Sequence, residues 1–526
     1  MLNGRFTTLW EPLDTFRAQL TLGGYQDKSD TIAGQAIAIS PSVPAAAPLV
    51  PGLLTAPLAP ADSRAADFTV GEDYARDNWF DDANLRLDAD LNDNLTVTSL
   101  TSYSEYSEDR LVDTDGTSLR NLDVATTGSI ESFSQELRLA GGIGTIGDFV
   151  VGVNYTNDEV LETEVLRNPE STIAFTFVPF GLPLFTSTQD INNQDSESYA
   201  IFGNVNVDVT PEWTVYGGVR YTDMSIDHEG CSADAGDGNT AVSFTVLLDL
   251  FRAGAGLPPI TPIEPGGCFT ADATLTPTFV QDELNEDNVS WRAGLDWTPN
   301  SDMLFYANVS KGFKAGSFPT LAASTTEQLA PVTQESLLAY EAGFKTQILD
   351  GTMQFNGAIF RYDYTDKQIL GSFIDPVFGR LLRLVNIPDS RINGAELDVL
   401  WAPLDGLTIT AGGSYIDSKI KGTFELFDAF FVLQDFGGES FPNTPELQLV
   451  SDIDYQFGLG NQLNGFVGGG VTYLGSTNSQ LGQNPLLDVR DRTLIDLRAG
   501  VESLDGMWRV SLWGRNIGDT YYWEST

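Results

Sequence analysis

The sequence predicts an all-β protein, a transmembrane antiparallel β-barrel with short periplasmic turns at one end and long extracellular loops at the other. Three observations lead to this fold class. Apolar and polar residues alternate along most of the chain, as they do in strands with two different faces. Tight turns and long connections follow one another in regular alternation. Finally, no uninterrupted apolar run reaches the roughly eighteen residues that a helical membrane span needs.

Alternating apolar and polar positions define the predicted strands. Between Leu407 and Tyr415 the odd positions are apolar or glycine, whereas the even positions are Thr, Gly or Ser. Segments that begin at Phe149, Trp213 and Trp508 show the same division into two faces. About eighteen such segments are predicted, to within about two to four residues at each end, and they begin near residues 4, 13, 77, 94, 130, 147, 195, 212, 286, 302, 335, 351, 386, 406, 443, 463, 490 and 507.

The connections decide which kind of sheet these strands form. Tight turns are predicted at 11–14, 92–94, 142–147, 210–212, 299–302, 350–351, 403–406, 460–462 and 503–506. The remaining connections are long, and the longest lie near 27–76, 161–194 and 227–285. Sandwiches and propellers do not sort their loops by length onto two ends, whereas outer-membrane barrels do. Closure of the sheet also lets the backbone polar groups pair within the hydrocarbon layer.

Tryptophan and proline recur together at the tight turns. Trp10, Trp297 and Trp401 each stand two residues before a proline that ends a strand, and Trp213 follows Pro211 in a variant of the pattern. Proline stops the hydrogen-bond ladder, and an indole ring suits the headgroup level of a membrane. The alternative is that Trp-x-Pro is merely a common turn, but its recurrence at the short connections favours an aromatic girdle.

Composition excludes several classes of function. The chain has 28 Lys and Arg against 73 Asp and Glu, a net charge of −45, so it lacks the clustered cations that nucleic-acid binding needs. Its hydrophobic content of 42% is too high for a disordered acidic tail. Because it has one histidine, two cysteines and no recognisable arrangement of nucleophile and base, the sequence predicts no enzyme, no catalytic residue, no cofactor and no metal site.

Five segments resemble, in order and spacing, the barrel of TonB-dependent outer-membrane receptors. They are Phe305 to Phe318, Glu335 to Lys345, Ile392 to Leu397, Asn443 to Glu446 and Gly514 to Tyr522. The first contains Ser-Lys-Gly-Phe-Lys-Ala-Gly-Ser-Phe, and the second contains Tyr-Glu-Ala-Gly-Phe-Lys. The resemblance implies structural roles for the residues that match the family's motifs, namely Lys311, Gly312, Phe313, Gly316, Glu335, Tyr340, Glu341, Gly343, Lys345, Gly394, Glu396, Asn443, Pro445, Asn516, Asp519 and Tyr521.

The resemblance covers residues 286–526 by motif and the rest by strand rhythm. It implies a barrel of about 22 strands plugged by an N-terminal domain that carries an energy-coupling box. We expect three of these strands before residue 4 and one after residue 526, so residues 1–526 are interpreted as a single barrel domain, incomplete at both ends and without its plug. The alternative is a complete 18-stranded pore, which would need an export signal that Met1 to Arg5 do not provide.

The longest loop contains both cysteines. Because an external loop matures through the oxidising periplasm, Cys231 and Cys268 are expected to form a structural disulfide. His228 beside them is expected to be a solvated loop residue rather than an iron ligand. Acidic clusters such as Asp113 to Asp115 and Glu159 to Glu164 are interpreted as solvated loop faces, with divalent-cation bridging to lipopolysaccharide as an alternative.

Aromatic runs in three loops suggest where a ligand binds. We hypothesise that side chains near the extracellular mouth contact a bulky ligand, and the candidates are Phe177, Phe180, Phe313, Phe318, Phe430 and Phe431. Packing of the loops on one another is the competing interpretation and is favoured. Lys311, Lys314, Glu341 and Lys345 could also be substrate ligands, although polar side chains in a barrel wall are expected in any case.

The resemblance implies the function. It predicts a receptor in the outer membrane of a Gram-negative cell, in contact with lipid and lipopolysaccharide, that takes up a scarce nutrient with energy from the TonB complex through the missing N-terminal region. Ferric siderophores are the favoured cargo, and cobalamin, oligosaccharides and aromatic compounds are alternatives. A passive porin and a soluble or surface-attached adhesin are the other classes of function that remain open.

Overall fold

The structure is a computed structural model that describes residues 1–375 and 377–524. Within those residues it is almost entirely antiparallel β-sheet. Its strands are β1 Leu2–Leu13, β2 Phe16–Asp27, β3 Asn78–Asn92, β4 Leu95–Asp113, β5 Asp123–Gly142, β6 Gly147–Arg167, β7 Ser187–Thr210, β8 Trp213–Asp234, β9 Val280–Asn300, β10 Met303–Lys314, β11 Glu335–Ile348, β12 Met353–Asp375, β13 Gly379–Leu404, β14 Leu407–Ile420, β15 Glu425–Phe427, β16 Leu433–Asp435, β17 Leu447–Leu459, β18 Leu463–Leu474, β19 Thr477–Asn478, β20 Asp488–Val489, β21 Arg492–Ser503 and β22 Arg509–Gly514.

The main sheet is a meander in which each long strand pairs with the next long strand along the chain. The order runs from β1 to β14 and continues through β17, β18 and β21 to β22. The short strands β15 and β16 form a hairpin that pairs with β12, and β19 pairs with β20 in a separate two-stranded sheet. The eighteen long strands correspond one to one to the predicted segments, which confirms the predicted fold class.

Short connections lie at one end of the sheet, which we call the turn end, and the long connections lie at the opposite loop end. All nine predicted tight turns separate adjacent paired strands, and the β1–β2 turn, for example, consists of Asp14 and Thr15. Rings gather at the turn end, where Trp213 and Trp297 stack with centroids 5.6 Å apart and Phe305 lies 5.3 Å from Trp297. This arrangement matches the predicted aromatic girdle.

Strands β4 to β9 are 19 to 24 residues long, about twice the length of 9–11 residues that crosses a hydrocarbon layer. Their outer face shows where that layer ends. Tyr103, Tyr155 and Tyr221 form a row whose hydroxyls contact carboxylates on the loop side of the row, for example Tyr155 to Glu197 at 3.1 Å. Side chains on the turn side of this row are apolar and exposed. The loop-side halves of these strands therefore stand clear of the lipid.

One predicted long loop is instead a tall hairpin. The sequence pattern placed a connection of about twenty residues between the strands near 351 and 386, but β12 and β13 pair continuously up to Asp375 and Gly379. Apolar residues continue on both faces of β12 here, with Ile369 and Phe373 on one face and Leu370 and Ile374 on the other, so the ladder has no reason to stop. The prediction that short and long connections alternate strictly is therefore wrong at this position.

A helix, α1 (Asn239–Gly254), lies in the loop between β8 and β9, where the sequence showed no clear helical periodicity. Short 3₁₀ turns occur at Pro44–Leu49, Leu53–Thr55, Val178–Phe180 and Thr326–Leu329. Phe244 of α1 packs in a buried cluster with Phe269 of the same connection and with Phe185 and Phe378, which come from two other connections. Loop packing therefore covers part of the loop end. No helix among the described residues is long and apolar enough to cross a membrane.

The loop that carries α1 is closed at its base by a disulfide between Cys231 and Cys268, whose Cα atoms lie 5.9 Å apart. The sequence predicts this disulfide and a structural role for it. Cys231 stands in β8, and Ala233, two residues further along the strand, bridges to Cys268, so the bond holds the return segment of the loop against the sheet.

Replacing both cysteines with serine is expected to loosen this loop, because a crosslink of this size contributes about 2–4 kcal/mol by restricting the open chain. The loop contains a single trypsin site, Arg252 in α1. We expect cleavage there to become at least tenfold faster, as measured by the rate of appearance of the two fragments. The matched control is wild-type protein whose disulfide has been opened with a reductant. If cleavage in both samples is as slow as in the oxidised wild type, the disulfide does not stabilise the loop.

Candidate functional site

The main candidate site is a cavity of about 680 Å³ at the loop end, which we call the mouth cavity. It lies where loop 28–77, the tip of the β12–β13 hairpin, loops 421–446 and 475–491 and the segment 515–524 meet. Its lining is mixed, with small apolar side chains on loop 28–77 and a set of cationic, aromatic and amide groups from that loop and from the other segments. That set comprises Gln35, Arg64, Arg380, Phe430, Tyr521 and Trp523.

Arg380 is the most informative side chain of the mouth cavity. Its guanidinium donates to two neutral groups, Ser372 Oγ at 3.1 Å and Gln480 Oε1 at 2.5 Å. None of the ion pairs found among the described residues includes Arg380. A half-buried cation held by neutral oxygens keeps its charge available for an anion, and bidentate recognition of anionic oxygens is what guanidinium groups do best.

The aromatic side of the mouth cavity is built by the segment after β22. The Asn516 side chain accepts from the Thr520 backbone N–H at 3.0 Å and donates to its carbonyl at 2.9 Å, which closes a tight loop. This loop points Tyr521 inward, where its hydroxyl contacts Gln35 Oε1 at 2.7 Å, and Trp523 Nε1 donates to the same hydroxyl at 3.2 Å. The family motif that includes Asn516 and Tyr521 thus shapes a wall of the cavity.

A second cavity, of about 560 Å³, lies beside the first and shares Gln480 with it. Its floor contains Lys367, whose ammonium lies 4.4 Å from the ring centre of Tyr364 and 5.1 Å from that of Phe441. Glu335, one of the family-motif residues, neutralises this lysine at 3.8 Å. The charge of Lys367 is therefore already satisfied, and Arg380 remains the better candidate for binding an anion.

The predicted mouth phenylalanines lie in different environments. Phe177 and Phe318 are buried in loop packing, which agrees with the interpretation that the sequence favoured. Phe180 is 78% exposed on its loop, and Phe313 shares the outward face of β10 with Phe305. Phe430 lines the mouth cavity, and its neighbour Phe431 adopts a backbone φ of 67°. Of the six candidates, only Phe430 therefore lies at the mouth cavity.

Residues of the family motifs hold the barrel wall together. The ring of Tyr306 lies over Gly343 and the ring of Phe360 lies over Gly394 on the neighbouring strand, where a Cβ atom would clash with the ring. Such glycine and aromatic pairs fix the register and curvature of a sheet. Glu341 pairs with Asn308 across β10 and β11. The two glycines and the cross-strand position of Glu341 are therefore part of the barrel wall.

Two predictions about solvated loop residues are wrong. His228 is only 1% exposed, and its ring stacks on Phe318 with centroids 4.5 Å apart. It lies in β8, which extends further toward the loop end than the sequence pattern indicated. Asp113 is 3% exposed because loop 28–77 folds over it. In both cases long loops that pack back onto the strands remove solvent, a non-local effect that strand periodicity does not contain.

Sequence reasoning also missed Arg380, Arg64, Gln35 and Trp523. Arg380 fell within a connection that was expected to be irregular, and the others lie in segments that come together only in the fold. One signal was available: cations are scarce, with 28 in 526 residues, so an arginine beside an apolar hairpin tip is unusual.

Solved structures with the same fold come from outer-membrane uptake systems. The ferric yersiniabactin uptake receptor FyuA from Yersinia pestis aligns with a TM-score of 0.67 and 15% identity over 99% of this chain and 73% of that chain. The ferric-catecholate import receptor Fiu from Escherichia coli K12, in its closed form, aligns with a TM-score of 0.65 and 18% identity over 99% of this chain and 71% of that one. These similarities show the fold.

Relatives are also found by sequence. The catecholate siderophore receptor Fiu of Escherichia coli (strain K12) is 23% identical over 441 residues, which are 77% of this chain and 51% of the relative. The probable TonB-dependent siderophore receptor PiuA of Acinetobacter baumannii is 23% identical over 368 residues, 64% of this chain and 43% of the relative. The chain thus spans about half the length of the curated relatives that it matches.

The family assignment rests on a match that covers nearly the whole chain. The model of the family described as "TonB dependent receptor-like, beta-barrel" matches residues 16–517. The match contains four of the five motifs that suggested the resemblance, ends within the fifth, and includes most of the strands that were predicted by rhythm alone. The chain therefore belongs to the TonB-dependent receptor β-barrel family, a family of outer-membrane receptors and transporters.

Proposed function

We propose that this chain is the barrel of a receptor that captures a ferric siderophore at the loop end and imports it with energy from TonB. The observation that carries the proposal is the mouth cavity, where the guanidinium of Arg380 forms no ion pair within the described residues and lies in the same lining as Phe430, Tyr521 and Trp523. Catecholate chelates of iron are both aromatic and anionic. Ring stacking and a desolvated cation are the two interactions that such a ligand needs.

The net charge of −45 does not prevent an anionic ligand from binding in the mouth cavity itself. Long-range repulsion slows the approach of an anion, but screening limits that effect to about 8 Å at physiological salt. The charged side chains that line the mouth cavity are Arg380 and Arg64 against Asp115 and Glu524, and the charge of Asp428 also acts on Arg380. The local balance is therefore close to neutral, and a ligand that reaches the cavity meets cationic groups directly.

The names of the relatives support the choice of cargo. Fiu is named a catecholate siderophore receptor and PiuA a probable TonB-dependent siderophore receptor. We propose the same cargo for this protein. The proposal also includes coupling to TonB through a region outside the present residues, and contact with lipid and lipopolysaccharide. The exposed apolar band below the tyrosine row supports the lipid contact.

The test is a binding and uptake comparison with the full-length receptor purified in detergent. We expect saturable quenching of tryptophan fluorescence by a ferric catecholate chelate and no saturable response to cyanocobalamin or a maltooligosaccharide. Uptake of radioactive iron into cells that express the receptor should stop when the proton gradient is dissipated. Preference for the oligosaccharide would replace the cargo, and uptake that persists without the gradient would indicate a passive channel.

A further inference from the structure

Positive charge is concentrated in one area of the outer wall, on strands β12 to β14. The cations of this area, which we call the basic patch, are Arg361 on β12, Arg391 on β13, Lys419 near the end of β14 and Lys421 just after it. Three of them converge on the carboxylate of Asp363. Its oxygens lie 2.9 Å from Arg361, 2.7 Å from Arg391 and 3.5 Å from Lys421. Because the chain has 28 cations against 73 acids, such a group is unusual.

The basic patch faces outward, on the side of the wall that carries the apolar residues. Ile359 is 65% exposed and Tyr415 is 48% exposed, and Ala395 pairs with both of them across the three strands. Arg361 follows Ile359 by two positions, and Lys419 follows Tyr415 by four, so all four side chains point the same way. The basic patch therefore continues the exposed apolar face toward the loop end.

The position of the patch along the strands matches the boundary of the hydrocarbon layer, which a strand crosses in about 9–11 residues. Arg361 and Asp363 are the ninth and eleventh residues of β12, and Tyr415 is the ninth residue of β14. Tyrosine rings favour the headgroup level of a membrane, and Tyr340 on β11 pairs directly with Arg361. The cations thus lie where the charged headgroups of the outer leaflet begin.

The outer wall on strands β4 to β8 has the opposite charge. On the loop side of the tyrosine row, five carboxylates pair directly from strand to strand, in the order Glu105, Glu131, Glu159, Asp195 and Asp227. None of these five forms an ion pair among the described residues. An anionic headgroup is repelled there, so the basic patch is the side on which it can approach the wall.

The ion pairs of the basic patch leave donors free. Asp363 offsets a single charge, although three cations surround it. Arg391 uses only its Nε in this contact, and its two terminal nitrogens have no hydrogen-bond partner within the described residues. Lys419 pairs with Asp417 at 3.1 Å but stays 58% exposed, and Asp389 adds one more carboxylate on the same face. Asp363 therefore holds guanidinium groups side by side without saturating them.

Lys311 on β10 extends the basic patch along the wall. It lies at the same level as Asp363, because Leu338 on β11 pairs with both residues. Adjacent strands are about 4.8 Å apart, so the cations from β10 to β14 span about 19 Å. With Lys311 included, five cations face the three carboxylates of this area. A patch of this width suits a ligand that carries more than one anionic group.

We propose that the basic patch binds the phosphate groups of lipopolysaccharide in the outer leaflet. Guanidinium groups bind phosphate oxygens in a bidentate way, and basic clusters at a membrane surface bind anionic headgroups. Lipid A, the membrane anchor of lipopolysaccharide, carries more than one phosphate on a broad headgroup, whereas a phospholipid such as phosphatidylglycerol carries a single one. The width of the patch therefore favours lipopolysaccharide.

This inference rests on the proposed contact with lipopolysaccharide and gives that contact a site. It does not depend on the imported nutrient, because the basic patch lies on the outside of the wall and the mouth cavity is formed by the loops. Binding of the ferric catecholate should therefore be unchanged when the patch is altered. Loss of lipid binding and loss of cargo binding are separate outcomes.

The experiment measures binding of lipid A to the full-length receptor, purified in detergent and stripped of bound lipid. Arg391→Gln should weaken binding about fivefold, the effect of one cation beside an anionic lipid surface. The double variant with Lys419→Gln should weaken it about 25-fold. Arg86→Gln is the matched control. Arg86 also pairs with a carboxylate two positions along its strand, Asp88 at 2.7 Å, but it alternates with the exposed Leu85 and lies on the lumenal face of β3.

Two further lipids and one further variant complete the test. Lipid A without its phosphates should bind about tenfold more weakly to the wild type and equally to Arg391→Gln, and phosphatidylglycerol should bind about fivefold more weakly than lipid A. Lys419→Gln alone, at the most exposed of the four cations on β12 to β14, should lower affinity about fivefold even if Arg391→Gln does not fold.

Three results would overturn the proposal. The first is that Lys419→Gln and a folded Arg391→Gln bind lipid A as tightly as the wild type. The second is that Arg86→Gln loses as much affinity as these variants, which would indicate a general effect of charge. The third is that dephosphorylated lipid A or phosphatidylglycerol binds as tightly as lipid A, because the patch would then not recognise the phosphates of lipopolysaccharide.

Discussion

Replacing Arg380 with glutamine is expected to weaken binding of a ferric catecholate by at least tenfold. A hydrogen bond to a charged group contributes about 1.5–3 kcal/mol, which corresponds to about 10- to 150-fold in affinity. Arg380 is hydrogen-bonded by Ser372 and Gln480, and the nearby carboxylate of Asp428 has its own donors in Phe430, Val432 and Gln434, so removal of the guanidinium should cost little stability. Quenching of tryptophan fluorescence by the chelate measures the change in affinity.

Arg383→Gln is the matched control for this experiment. Arg383 lies three residues further along β13, stacks on Phe373 with 5.0 Å to the ring centre, and does not line the mouth cavity. Its replacement changes the net charge by the same amount, so a general electrostatic effect would weaken binding in both variants. Equal losses in the two variants, or no loss in Arg380→Gln, would show that the cavity does not bind the chelate through this guanidinium.

The main features of the barrel could be predicted from sequence because they are local. A strand with two faces must alternate, and a tight turn needs only a few residues of the right type, as at Asp350 and Gly351 with their positive φ values of 56° and 80°. The β12–β13 hairpin was missed because its projecting part has apolar residues on both faces, Ile369 and Phe373 on one and Leu370 and Ile374 on the other, so no two-faced pattern marks it. Helix α1 was missed because its apolar residues lie on more than one side.

The candidate site was less predictable, since it depends on contacts between distant segments. Tyr521 was identified as part of a family motif, but its partner Gln35 lies 486 positions earlier in the chain. Likewise, the burial of Asp113 results from Thr69 in another loop, and that of His228 results from Phe318. Alternation along a strand carries no information about which loop folds over it. The sequence therefore predicted the strands of the barrel wall but not the loops that cover them.

The second large effect is a loss of stability as the pH rises, and we expect it at Asp190. The carboxyl of this residue joins three segments at the loop end. Asp190 Oδ1 accepts from Ser232 Oγ at 2.5 Å, and Ser232 Oγ in turn accepts from the Ala323 backbone N–H at 2.7 Å. Asp190 lies nine residues beyond Tyr199 of β7, on the loop side of the tyrosine row and outside the lipid layer. Its second oxygen is buried without a hydrogen-bond partner in the described structure.

Burial, with a smaller contribution from the charge of Glu164, raises the pKa of Asp190 to about 7. The folded state therefore keeps a proton that the unfolded state releases above a pKa of about 4, so stability falls as the pH rises from about 4 to 7 and levels off above that. A shift of about three units corresponds to about 4 kcal/mol between pH 4 and pH 8.

We expect hydrogen exchange of the Ala323 amide, corrected for the intrinsic rate, to report this loss of protection in the wild type. Asp190→Asn, which cannot ionise and still accepts the bond from Ser232, should show protection that is nearly independent of pH. Asp195→Asn, with the same change at an exposed position of β7, should behave as the wild type. If the wild type is equally protected at pH 4 and pH 8, the pKa of Asp190 is not raised in the folded barrel and the contact from Asp190 through Ser232 to Ala323 does not respond to pH.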